Sequence, residues 1–163
     1  MKNAIRYIGS VICLMMIFAC GSNTSQSGNQ QVAFQTIEQV GVAPKANNPI
    51  TTPNVYVLRS ATEWTEFWNV FALTIPTSMP TIDFSQNQFI AVVDGIRSTG
   101  GHSITITGVE SNSTGVVVSA VETSPGQGCV TAQVIDQPVH VIMTPTFSGG
   151  ATLRLTQNIT TCN

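Results

Sequence analysis

Ser103-Ile104-Thr105-Ile106-Thr107 places an apolar side chain at every second position, and Thr152-Leu153-Arg154-Leu155-Thr156 repeats the pattern near the end of the chain. A period of two turns one face of an extended segment to a core and the other to water, as in a half-buried antiparallel strand. Working outward, 88–96, 102–110, 115–122, 130–136, 139–144 and 151–159 are short runs rich in Val, Ile and Thr, separated by turn residues. A further strand is expected over 36–42, with Val32 and Phe34 leading into it, and the Pro/Asn-rich stretch 44–53 reads as a loop.

One helix interrupts the strands. In Ser60-Ala61-Thr62-Glu63 a serine cap and a glutamate three places later form a capping box. Trp64, Phe67, Trp68 and Phe71 follow at i, i+3, i+4 and i+7, so the spacing predicts an amphipathic helix over about residues 61–71, stopped by Pro76 and Pro80. Rings at this period bury together against a sheet; the competing use is an exposed platform for a glycan. The expected fold is mainly β: an antiparallel β-sandwich or a partly rolled barrel with this single helix against one face or end.

Charge and composition exclude several roles. The 163 residues carry 6 Lys or Arg and 8 Asp or Glu, with 9% charged and 42% hydrophobic. That is too apolar for a disordered chain and too neutral for an electrostatic nucleic-acid binder, so no nucleic-acid partner is expected.

Lys2 and Arg6 precede an apolar run from Tyr7 to Ala19. A thirteen-residue helix at 1.5 Å per residue covers about 20 Å, short of the roughly 30 Å hydrocarbon core, so residues 1–19 read as an export signal. Ile17-Phe18-Ala19-Cys20 resembles the bacterial lipobox, with Phe18 where Ala or Ser is usual. The resemblance implies cleavage before Cys20 and lipidation of its sulfur and amine by chains such as palmitate, and two or more chains anchor a protein stably. The alternative is plain secretion with Cys20 as a free thiol. Residues 20–30 then form a polar, flexible tether and 31–163 a single β-rich domain. The expected address is the bacterial cell envelope, lipid-anchored in the outer membrane.

Cysteine usage points to the same compartment. Cys13 leaves with the signal and Cys20 takes lipid, which leaves Cys129 and Cys162. In an oxidising compartment these two form one disulfide, stabilising by about 3.8 kcal/mol in the chain-entropy model. Zinc is the competing reading, but the mature chain has no C-x-x-C or H-x-H, and no metal or other cofactor is expected.

Catalytic motifs are missing. Gly101-His102-Ser103-Ile104-Thr105 starts like a nucleophile elbow, but Thr105 stands where Gly is needed and a strand follows where a helix is required. His102 and His140, the only histidines, fit surface or edge positions, and Glu63 and Glu66 suit the start of a helix. No phosphate loop or dinucleotide fingerprint occurs.

Several segments, in order, resemble the PrcB C-terminal domain, a family named for a protease-complex lipoprotein subunit. They are Leu58-Arg59-Ser60-Ala61-Thr62-Glu63-Trp64-Thr65-Glu66-Phe67-Trp68, Ile82-Asp83-Phe84-Ser85, Thr99-Gly100-Gly101-His102-Ser103-Ile104 and Gln137-Pro138-Val139-His140-Val141-Ile142. His102 replaces a usual tyrosine and Val139 an aromatic residue. The similarity spans about residues 56–146. It implies a non-enzymatic protein that supports a surface subtilisin-like protease.

The expected function is therefore a lipid-anchored protein-binding module, an accessory or stabilising subunit of a cell-surface or periplasmic protease or a binder of another envelope protein. The alternative is a carbohydrate or cell-wall binder using exposed rings. Arg97, Thr99, Gly100, Gly101 and His102 are the candidate partner contacts, because two glycines let a backbone approach closely. The competing use of these glycines is a tight hairpin needing positive φ.

Overall fold

The computed structural model describes residues 29–44, 50–71 and 79–162. The strands are β1 (Gln30–Gln31), β2 (Gln35–Val42), β3 (Asn54–Leu58), β4 (Asn87–Val93), β5 (Ser103–Asn112), β6 (Gly115–Pro125), β7 (Gln137–Pro145) and β8 (Gly150–Thr160), with helix α1 (Ala61–Phe71) after β3. They form two four-stranded sheets, β1-β5-β6-β8 and β2-β7-β4-β3, which face each other as a sandwich and do not close into a barrel.

The β2-β7-β4-β3 sheet is the middle of three layers. Every residue of β4 from Gln88 to Val93 is buried, because both of its faces are covered. Phe89, Ala91 and Val93 join Val139 and Val141 of β7 under Trp64, Phe67 and Phe71 of α1. Ile90, Val92 and Ile142 point the other way, onto Ile104, Ile106, Val109, Val116, Val118 and Ala120 of the second sheet. A continuous apolar run is what an antiparallel strand needs when a helix replaces water on its outer face.

The helix starts where its cap predicts. Glu63 N–H donates to Ser60 Oγ at 3.2 Å, while the Glu63 carboxylate takes the Arg59 N–H at 2.6 Å, one residue before the donor of a standard box. Trp64 donates from Nε1 to the Pro80 carbonyl at 2.8 Å and meets Phe89 with ring centroids 4.2 Å apart. Burial of Trp64, Phe67 and Phe71 makes the stripe a core, and Trp68 is half-buried edge-on to Trp64. Asp83 shapes the entry to β4: its Oδ1 accepts from Ser85 N at 2.9 Å and Ser85 Oγ at 2.7 Å, and these bonds hold its carboxyl below the usual range.

Four expectations about local structure change. Residues 130–135 are not a strand: this segment crosses from one sheet to the other, and only Asp136 bridges, to Arg97. β3 forms in a stretch whose pattern is too short to announce it, paired with β4 from Asn54↔Val93 to Leu58↔Phe89. β8 runs parallel to β6, from Gly115↔Gly150 to Pro125↔Thr160, not antiparallel to a neighbour. Alternation has the same period in both directions, so it carries no sign. Gln30, placed in the tether, already pairs with Ser111.

Candidate functional site

The segment 94–102 leaves β4 in one sheet and enters β5 in the other, so it is an inter-sheet connection and not a hairpin. Arg97 closes its base. Its Nε and Nη2 donate to the two oxygens of Asp94 at 2.9 and 2.7 Å, and Nη2 also lies 2.6 Å from Glu122 Oε1. Asp94 is 0% and Glu122 4% exposed, so both carboxylates depend on this one cation. Asp94 raises the guanidinium pKa, with burial opposing and Glu122 adding to the rise. Gly95 N–H donates to Asp94 at 2.7 Å, and Gln157 and Ser124 approach Glu122 at 3.5 and 3.4 Å. The guanidinium that the sequence offered as a partner contact is thus paired with two buried carboxylates, while part of its side chain stays exposed.

The remaining four residues divide. His102 is half-buried between Thr99 Oγ1 (3.3 Å from Nε2) and Ser124 Oγ (3.2 Å from Nδ1). Ser124 stands between the imidazole and Glu122, so the carboxylate does not orient the ring as a catalytic triad requires. Gly101 adopts φ +87°, the left-handed conformation that favours glycine. Gly100 serves the other use: its N–H donates to the Ala132 carbonyl at 2.9 Å, and a Cβ there would stand 3.2 Å from Val134. The close approach expected of these glycines is made by the chain's own 130–135 loop.

That loop is the most apolar exposed surface among the described residues. Val130 is fully exposed, Ile135 and, on β8, Ile159 are largely so, and Val134 is half-exposed. Its start is tied down, since Cys129 and Cys162 form the expected disulfide, with Cα atoms 5.1 Å apart. Sequence reading spent Val130, Val134 and Ile135 on a strand; the cysteine and the glycines at 126 and 128 were the available sign of a stapled loop.

At the flank of the sandwich, a cavity of about 250 Å³ is lined by Gln39, Val40, His102, Ser103, Ile104 and Pro138, among others. Here side chains of one sheet complete the backbone of the other. Gln39 Nε2 donates to the Ile104 carbonyl at 3.0 Å, and the Ile106 N–H donates to His140 Nδ1 at 2.7 Å. His140 Nε2 therefore carries the proton toward Thr36 Oγ1, 3.0 Å away. Burial pushes the His140 pKa down to about 4. His140 is a core pin, not the surface or edge residue its sequence context suggested.

Cys20, the signal at 1–19 and the tether up to residue 28 lie outside the described residues. Among the described residues, no helix is long and apolar enough to cross a membrane, and no group of three or more His, Cys, Asp or Glu could hold a metal ion.

No curated protein and no solved structure matches the chain. A family model does, and it covers the inter-sheet connection, the disulfide's first cysteine, the exposed loop, β4 from Gln88 onward and β7. The two later motifs, 99–104 and 137–142, fall inside it, while the helix motif and 82–85 precede it. Residues 88–145 of this chain are a match to the PrcB C-terminal family, the family that the sequence resembles.

Proposed function

We propose that this chain is an exported lipoprotein without enzymatic activity that binds another protein of the bacterial envelope, as an accessory or stabilising subunit of a protease. The observation that carries the reading is the exposed apolar set Val130, Val134 and Ile135 on a loop held by a disulfide and by Gly100. An apolar cluster on a braced loop loses little conformational freedom on docking, which favours binding. The family match over 88–145, named for a protease-complex subunit, adds the partner class. The glycan reading loses three of its four rings, since Trp64, Phe67 and Phe71 are buried, and Trp68 is half-buried.

Two measurements test this. The Val134→Asp/Ile135→Asp variant of the full chain should lose a co-purifying envelope protease while its disulfide stays intact; a wild-type chain isolated from membranes with no partner would overturn the subunit reading. Cys20→Ala should release the chain from the membrane, and an unmodified thiol at the processed start would defeat lipidation.

A further inference from the structure

Among the described residues, each sheet edge but one is protected. β1 is two residues long, and where it ends Gln39 and His140 take the backbone groups of β5. β2 carries a bulge between Thr36 and Glu38 and a charged side chain beside it, and β3 has only five residues. β8 has none of these devices. It is eleven residues long, pairs only with β6 among the described residues, shows no bulge or proline, and has Arg154 as its single charge. Natural edges of this length are interrupted or covered, because a free row of N–H and C=O groups templates another strand.

We propose that β8 pairs antiparallel with β8 of a second copy of this chain, about a two-fold axis through Thr156. Three features of the strand favour its own copy as the occupant. Pairing about a residue keeps like faces together, so the inward residues Leu153, Leu155, Gln157 and Ile159 meet the same set in the partner, and the outward row Thr152, Arg154, Thr156 also meets outward residues. Arg154 meets Asn158 of the partner subunit, so no like charges oppose. Ile159, 72% exposed, comes opposite Leu153 of the partner subunit, while Thr152 and Thr156 form threonine pairs with Thr160 and Thr156 of the partner subunit. The two four-stranded sheets become one of eight strands. This inference does not rest on the protease-subunit reading.

Cysteine crosslinking of the full chain in detergent tests it. Directly opposed strand residues have Cβ atoms about 4.5–5.5 Å apart, close to disulfide reach. Thr156→Cys should give, on mild oxidation, a two-chain product whose linkage maps to position 156, whereas Thr65→Cys on the exposed face of α1 should not. Thr156→Lys sets two ammonium groups against each other and should shift the particle from two chains to one with the Cys129–Cys162 bond retained. Equal crosslinking at positions 156 and 65, or a wild-type chain that sediments as a monomer, would overturn the proposal. So would a dimer that survives Thr156→Lys unchanged.

Discussion

The β1-β5-β6-β8 sheet ends in two different ways. On one side, β1 stops after Gln31, and Gln39 and His140 reach across from the other sheet to the backbone of Ile104 and Ile106. On the other side, β8 ends the sheet with its last five residues exposed and, among the described residues, no cross-sheet side chain on its backbone apart from Arg59, which donates to the Gly149 carbonyl just before it. The closed side spends two polar side chains to make the sandwich self-sufficient, and the open side is left with bonding capacity that a second chain can satisfy. Stability and association are therefore assigned to opposite flanks of one sheet.

The largest expected effect lies on the open side, where covalent chemistry replaces packing. Cys129→Ser/Cys162→Ser removes the bond that holds the end of β8, and denaturant unfolding should show a loss of about 3.8 kcal/mol in the chain-entropy model. A loss under about 1 kcal/mol would mean that β8 is held by β6 alone.

The closed side follows. His140→Ala strands the Ile106 N–H and opens a cavity, so unfolding should show a loss of about 3 kcal/mol. The same residue makes the flank acid-sensitive. Its pKa is about 4 when folded, against an ordinary 6.5, so the unfolded chain takes up the proton first. The stabilisation is complete above pH 6.5 and is lost as pH falls through the window toward 4. A denaturation midpoint that falls across this window in the wild type, with a flatter response in His140→Gln, is the expected result. The same slope in both would mean that His140 does not set it.

Gln39→Ala should cost about 1 kcal/mol, the net worth of an ordinary hydrogen bond, and should raise hydrogen exchange along the outer edge of β5. The smallest effect belongs to Thr152→Val on the outer face of β8, with unfolding unchanged within about 0.5 kcal/mol. A larger loss there would blur the distinction between the flanks.

Much of this architecture is legible in the residues. The serine cap and four rings announce α1 because a helix boundary and its apolar stripe are written within a dozen positions. Cys129 and Cys162 announce their bond by elimination. The same local logic misreads 130–135, where Val130, Val134 and Ile135 have strand-like chemistry but pair with no strand among the described residues. It also misplaces His140, since nothing in Gln137–Ile142 says that the ring will meet the N–H of Ile106, 34 positions earlier.

Arg97 shows the limit most directly. Its place beside Thr99, Gly100, Gly101 and His102 suggested a surface, and nothing nearby in the sequence said that it would also be the counter-ion of the buried Asp94 and Glu122. By itself the sequence determined the β class, the helix, the cysteine pair and the resemblance to a family, because periodicity, capping and short motifs are properties of neighbouring residues. Only the tertiary structure decided the parallel seating of β8, the exposure of the 130–135 loop and the burial of Arg97's partners and His140. Those depend on which strands lie side by side, and a pattern of alternating side chains is compatible with many such arrangements.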